Sequence, residues 1–318
     1  MAKELFLMDR KKHLVSIQSG DWYDESNDDK SMARAKECGI EALDFNIDHV
    51  INPWEYVKGK QYPLCDKPAT EFVMHFAPLK AAAEKYGIAF SQMHAPFPTW
   101  FEDNPEATEY LLSVVDKIVA VCAFVGCPAL VVHPYYSGDN AKDREINLAM
   151  YRRLMPKAKE YGVKICLENA FLTFNGRIIE CYCTGAEANC ELIDFLNAEA
   201  GEEIFGFCLD VGHANITGKD LRAYINTLGK RLTILHIHDN DGQGDKHMIP
   251  YTQGTGIWAN ELATDWEGFL AGLRDIGYEG NLSFETFKGI KHLPKEVEKE
   301  ALSLLTAIGR YFRSRIEE

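Results

Sequence analysis

No apolar run among the 318 residues approaches the roughly 20 residues of a membrane span, which argues against a transmembrane helix. The opening from Met1 to Arg10 mixes charges and lacks the sustained apolar stretch and small-residue cleavage site of a signal peptide, so a cytoplasmic protein is expected. Basic residues are in deficit. Lys and Arg number 34 against 48 Asp and Glu, a net charge of −14 with no basic run. Binding to nucleic acid depends on neutralising phosphates, so that class of partner is disfavoured. No Gly-rich fingerprint follows the first strand-like segment, which counts against a dinucleotide-binding domain. Linkers and low-complexity tracts are also missing. Nine cysteines in a chain without a leader read as free thiols rather than a disulfide framework. Cys166 and Cys208 sit inside apolar runs, where a thiol packs like a small hydrophobe. Cys181, Cys183 and Cys190 cluster, but at a spacing that fits no zinc motif.

What is present is a chain 46% hydrophobic and 26% charged, enough for a sizeable core. Short, apolar, often β-branched runs recur at His13–Ser19, Ile40–Ile47, Ile88–His94, Ala129–Pro134, Val163–Glu168, Phe205–Asp210, Leu232–His238 and Asn281–Glu285, as strands buried on both faces should. Helical stretches lie between them: Lys30–Cys38, Glu71–Tyr86, Pro105–Val125, Asn140–Tyr161, Glu187–Ala200, Asp220–Leu228, Asp265–Ile276 and Pro294–Arg313. Most stop at a glycine. Eight strand–helix units joined by right-handed crossovers predict an α/β protein, one (β/α)8 TIM barrel over residues 1–318. Three long connections, 52–69, 171–186 and 240–264, each follow a strand and should lie over the C-terminal face as binding loops. They carry Trp54, Tyr56, Tyr62, Phe171, Phe174, Tyr182, Tyr251 and Trp258, which could pack locally or stack on a sugar ring.

Metal-ligating side chains stand at the strand ends. Glu168, Asp210 and Glu285 each close an apolar run in the same relative place. Three carboxylates buried together, with imidazoles beside them, are costly without a cation. His236 and His238 are two apart and face the same side, so one is a ligand candidate and the other a substrate or supporting contact. His94 and His133 each follow a strand and precede a proline, in equivalent positions. His213 follows Asp210 by three, and Asp245 and His247 form a further pair. Mixed carboxylate and imidazole donors suit a divalent metal. Manganese is the expected ion, with zinc, magnesium, cobalt and iron compatible.

On the segments Leu167-Glu168-Asn169, Leu209-Asp210-Val211-Gly212-His213, His236-Ile237-His238-Asp239 and Phe284-Glu285-Thr286, the chain resembles the sugar phosphate isomerase/epimerase superfamily, the xylose-isomerase-like barrels. The resemblance runs from the first strand to the last helix. It implies one metal held by Glu168, Asp210, His236 and Glu285. The family pattern of a His followed by an acidic residue three later fits His236 with Asp239, and equally His238 with Asp241. Type IV apurinic endonucleases, three-zinc members of the same superfamily, have matching positions at His94, His133, His213, Asp245 and His247.

The expected function is therefore a metal-dependent isomerase or epimerase that abstracts a proton beside a metal-polarised sugar carbonyl. Glu168 and Glu285 would move the protons. His94, His213, His238, Asp245 and His247 would meet substrate. A first alternative is the catalytic subunit of a C-glycoside deglycosidase, a lyase cleaving the C–C bond of a 3-keto-C-glycoside. There His133 would serve as general base and a small partner subunit would accompany the chain. A lesser alternative is a metal phosphodiesterase. A sugar or glycoside substrate, a homo-oligomer and no membrane contact complete the expectation.

Overall fold

The computed structural model describes residues 12–20, 22–255 and 261–318. Trp258 of the third long connection lies outside the described residues. Eight strands run parallel around a barrel: β1 (Val15–Gln18), β2 (Ala42–Asn46), β3 (Ala89–His94), β4 (Ala129–Val131), β5 (Lys164–Glu168), β8 (Phe205–Asp210), β9 (Leu232–His236) and β10 (Leu282–Phe284). A separate antiparallel hairpin, β6 (Leu172–Phe174) and β7 (Arg177–Ile179), follows β5. The order is β10-β1-β2-β3-β4-β5-β8-β9. Closure comes just past the end of β9. There Ile237 donates its N–H to Ser283 (2.8 Å) and accepts from Glu285 N–H (3.0 Å). No helix among the described residues is long and apolar enough to cross a membrane.

The strands carry their side chains alternately to two different environments. Outward residues such as Val15, Ile17, Leu209, Leu235 and Phe284 join the main core under the helices. Inward residues divide the barrel interior. Ala129, Val131, Cys166, Cys208 and Ile234 form a small apolar cluster. Across from them lie Ser16, Gln18, Asp44, Ser91, Gln92 and Ser283, all buried. All nine cysteines are free and buried.

All eight expected strands are present, trimmed by a residue or more at most ends. Short helices at Pro53–Tyr56, Val211–Ile216 and Phe287–Lys291 lie in stretches read as connections, and three further elements differ from the sequence reading. The helix expected over Glu71–Tyr86 is two helices, Ala69–His75 and Ala77–Tyr86, broken at Phe76 because Pro78 cannot continue the preceding hydrogen-bond ladder. The 171–186 connection contains the hairpin, whose Asn175-Gly176 turn takes positive φ at both residues (48° and 71°), as a tight hairpin turn requires. The helix expected from Pro294 begins at Glu298 and runs to Glu317, after one 3-10 turn at Lys295–Val297.

Candidate metal centre

Glu168, Asp210 and Glu285 stand at or one residue past the ends of β5, β8 and β10, and His236 ends β9. Strand parity turns all four inward at one rim, and one donor atom from each lies within 4.8 Å of the others. His236 Nδ1 is 3.0 Å from Glu168 Oε1 and 3.5 Å from Glu285 Oε2. Its Nε2 faces Asp44 Oδ2 at 3.3 Å. His238 also points inward but meets other partners. Its Nε2 is 3.0 Å from Asp210 Oδ1 and 3.7 Å from Asp245 Oδ1. With His213, Asp245 and His247 it forms a second donor group within the same 4.8 Å limit. A third group joins His94 to Glu168 and His236. His133 stands beside it, with Nε2 3.0 Å from His94 Nε2 and 3.4 Å from Glu168 Oε2. All ten candidate residues therefore gather at one rim of the barrel.

The charges there are crowded. Burial alone would favour the neutral acid at Glu168, but His133 and His236 beside it outweigh burial and hold its carboxyl down to about 2. Burial pushes Glu285 well above the usual carboxylate range, and Glu168, Asp210 and Asp44 add to the rise. Burial opposes a charge on His236 too, yet Cys208, Glu285, Glu168 and the nearby Asp44 together raise it well above an ordinary imidazole. Burial pushes His133 down to about 3 and likewise lowers His247 to about 4. In the four-donor group Glu285 and His236 are thus both biased towards their protonated forms. Glu168 Oε2, His238 Nδ1 and Asp245 Oδ1 are buried with no hydrogen-bond partner. Buried carboxylates that need positive charge and have unused lone pairs are what a divalent ion accepts, so the donor set fits a metal.

Several residues that hold this set in place escaped the sequence reading. Asn169 exchanges two hydrogen bonds with the backbone of Asp210, both 2.8 Å, and so ties the end of β5 to that of β8. Gln18 donates to Glu285 Oε1 (2.5 Å), and Gln92 donates to Asp44 Oδ2 (3.0 Å). Asp44 interrupts the apolar run Leu43-Asp44-Phe45 instead of closing one, so the signal that marked Glu168 and Asp210 did not reach it. Asp239 is not at the cluster. It accepts from Thr252 N–H, Gln253 N–H and the Thr264 hydroxyl, which pins the 240–264 connection over the rim. His247 sits in that connection at φ 45°, a left-handed conformation that few non-glycine residues adopt, and its Nδ1 lies 3.0 Å from the Glu285 carbonyl.

Above the donors is a cavity of about 320 Å³, lined by residues including His94, His133, Glu168, His213, Asp245, His247, Glu285, Phe97, Tyr136, Phe171 and Phe287. Of the loop aromatics named from sequence, Phe171 lines it. Tyr56 instead stacks on Tyr110, and Tyr251 packs against Trp266 and Phe312.

Residues 32–308 match the family model described as xylose isomerase-like TIM barrel. Inosose isomerase of Bacillus subtilis is 25% identical over 174 residues, which cover 54% of this chain and 58% of that protein. The chain spans roughly half to two thirds of the length of the curated relatives it matches. Among solved structures, apo 3-keto-D-glucoside 4-epimerase from E. coli is 17% identical with a TM-score of 0.67, covering 94% of this chain and 100% of that one. The IOLI protein with a bound zinc atom is 17% identical with a TM-score of 0.66, covering 94% and 98%. At these identities the structural likeness concerns the fold.

Proposed function

The chain belongs to the xylose isomerase-like TIM barrel family, and from that premise we propose that it is a divalent-metal-dependent isomerase or epimerase acting beside the carbonyl of a sugar or cyclic polyol ketone. The observation that carries this reading is the convergence of Glu168, Asp210, His236 and Glu285, all buried, beneath a cavity of sugar-compatible size. Two of the matched proteins, inosose isomerase and 3-keto-D-glucoside 4-epimerase, are named for chemistry of this class.

Those four residues would hold the metal, with manganese as the expected ion. When bound, such an ion supplies the positive charge that acidifies a C–H next to a carbonyl. Glu168 and Glu285, from β5 and β10 with β8 and β9 between them, would carry the proton from and to the substrate carbon. His133 and His94 line the cavity and adjoin Glu168 Oε2, at 3.4 and 3.9 Å, where they can relay a proton or orient a hydroxyl. His213, His238, Asp245 and His247 would meet the substrate's remaining hydroxyls.

That second group also favours another reading. Two or three ions bound across the rim would suit a phosphodiesterase. The acidic balance of the chain and the apolar rings at the cavity argue against an anionic polymer.

The test is deuterium exchange. Manganese-loaded protein in heavy water is given a panel of ketohexoses, inososes and 3-keto-glucosides, and the carbon beside the carbonyl is followed by NMR. Deuterium should enter there, and Glu168→Gln and Glu285→Gln should each slow its entry by about 10²–10⁴-fold. No exchange with any member of the panel would sink the reading. Two or three zinc ions per chain with cleavage of abasic DNA would replace it by the phosphodiesterase.

A further inference from the structure

Cys181 and Cys183 take no part in the reaction proposed above. They occupy the first and third places of a turn that Thr184 N–H closes onto the Cys181 carbonyl (3.0 Å). Their sulfurs lie 3.3 Å apart, roughly 1.3 Å more than a disulfide bond. Cys181 Sγ also faces Thr184 Oγ1 (3.4 Å) and the Ala170 carbonyl (3.5 Å). A hydrogen bond from the Cys183 thiol, aided by Thr184, lowers Cys181 to about 7, while burial pushes Cys183 well above the ordinary thiol range. Burial pushes the strand thiols Cys166 and Cys208 up instead. Cys181 is 8% exposed and Cys183 1%, so the sulfur that ionises is also the one a small reagent meets first. A nucleophilic sulfur with a second thiol in contact to resolve it is the arrangement of an oxidisable pair.

The far end of this turn is fixed. Asn189 donates to the carbonyls of Cys183 and Gly185 (both 2.8 Å), and the Tyr224 hydroxyl donates to the Thr184 carbonyl (2.9 Å). Those residues belong to the helices Ala186–Ala200 and Leu221–Leu228. At the near end the Thr184 hydroxyl donates to the Ala170 carbonyl (2.6 Å) and accepts from Cys181 N–H (2.9 Å). Drawing the sulfurs together therefore displaces Cys181 and disturbs its contacts with Ala170. Ala170 lines the donor cavity and follows Asn169. The Asn169 side chain holds the Asp210 backbone, and its carbonyl accepts from His213 Nδ1 (2.8 Å). Tyr136, another wall of that cavity, packs on the same cysteines.

We propose that Cys181 and Cys183 form a hydroperoxide-sensitive dithiol whose oxidation to a disulfide weakens the neighbouring metal centre. The Cys181 sulfur attacks one oxygen of hydrogen peroxide and the O–O bond breaks. The leaving hydroxide takes the Cys181 proton, which gives a sulfenic acid and one water. The Cys183 sulfur then attacks the Cys181 sulfur and displaces its hydroxide, which takes the Cys183 proton and leaves as a second water. Two thiols have lost two electrons, and the peroxide has gained them. The thiol chemistry rests on the pair alone, whereas its effect on the ion rests on the function proposed above.

The test treats the folded, metal-free protein with a few equivalents of hydrogen peroxide. The chain is then unfolded, its thiols are counted and the modified residues are located by tandem mass spectrometry. Two of the nine thiols should be lost, joined as a Cys181–Cys183 bond that dithiothreitol reverses. Cys181→Ser should abolish this loss, and Cys183→Ser should stop at a sulfenic acid on Cys181 that dimedone traps. If neither variant folds, the mapping on the unaltered chain decides. Nine surviving thiols, oxidation at other cysteines, or a sulfinic acid on Cys181 without the disulfide overturns the pair. Calorimetric titration with manganese then reads the coupling. Oxidised protein should bind the ion about tenfold more weakly than reduced protein, the scale of a disturbed supporting contact, and dithiothreitol should restore it. A disulfide that leaves the affinity unchanged overturns the coupling. If reduced protein binds no manganese, the metal half falls with the function proposed above, and the dithiol stands or falls by the mapping.

Discussion

His236 and His238 lie two residues apart and both point into the barrel, yet they meet different neighbours. His236 reaches Glu168 and Glu285, while His238 reaches Asp210 and Asp245. Gly212 helps to decide this. A Cβ there would lie 1.9 Å from His238 Cε1, so only glycine leaves room for that ring. His236→Ala should weaken metal binding by about 10²-fold or more, while His238→Ala should retain the ion, as elemental analysis after dialysis would show. The opposite pattern would make His238 the ligand.

At the scale of elements, the last helix packs against the first and last strands of the barrel. Glu298–Glu317 crosses β1 and β10 through Gly309, where a Cβ would meet Val15 Cγ1 at 2.5 Å and Phe284 Cε2 at 3.0 Å. Those two residues face outward from strands whose next residues, Ser16 and Glu285, face in. Helix packing and site geometry are therefore two sides of the same strands. Gly309→Ala should destabilise the fold by about 1–3 kcal/mol in urea denaturation, although alanine is the better helix former. An unchanged midpoint would mean that the helix shifts freely on the strands.

For the whole molecule, the crowded acids at the rim predict how stability responds to metal and pH. Protons and a metal ion compete for the same donors. Manganese at about 100 times its dissociation constant should stabilise the protein by about 2.7 kcal/mol, and chelation should remove that increment. The sign with pH follows from His236 and Glu285, both raised in the folded, metal-free protein. A raised group stabilises the metal-free fold at low pH, where it is protonated, and that contribution fades as pH rises through its folded value. The metal-bound form needs those groups without protons. The melting-temperature gap between loaded and stripped protein should therefore shrink as pH falls from about 7 to 5. A gap that is constant over this range would show that the ion, if bound, sits elsewhere.

The eight strands, most helix ends and the gathering of candidate residues at one rim were legible in the sequence because each depends on local chemistry. Apolar runs of strand length, stop glycines such as Gly126 and Gly162, and acids or histidines at strand ends are all read within a few neighbours. The break at Phe76 and the Asn175-Gly176 hairpin carried local signals too, but helical periodicity and loop length masked them. What only the tertiary structure decided lies in contacts between strands far apart in the chain. Periodicity puts His236 and His238 on the same face and cannot say which carboxylates surround each. Gln18 joins the site because β1 pairs with β10 from the far end of the chain, and Asp44 and Gln92 because the closed barrel brings β2 and β3 across from β9. A cavity walled by Trp54, Phe97, Trp100 and Tyr135 is assembled from the loops after β2, β3 and β4, so no single stretch of sequence announces it. Backbone pattern is set by neighbours in the chain, whereas the surroundings of a side chain are set by neighbours in space.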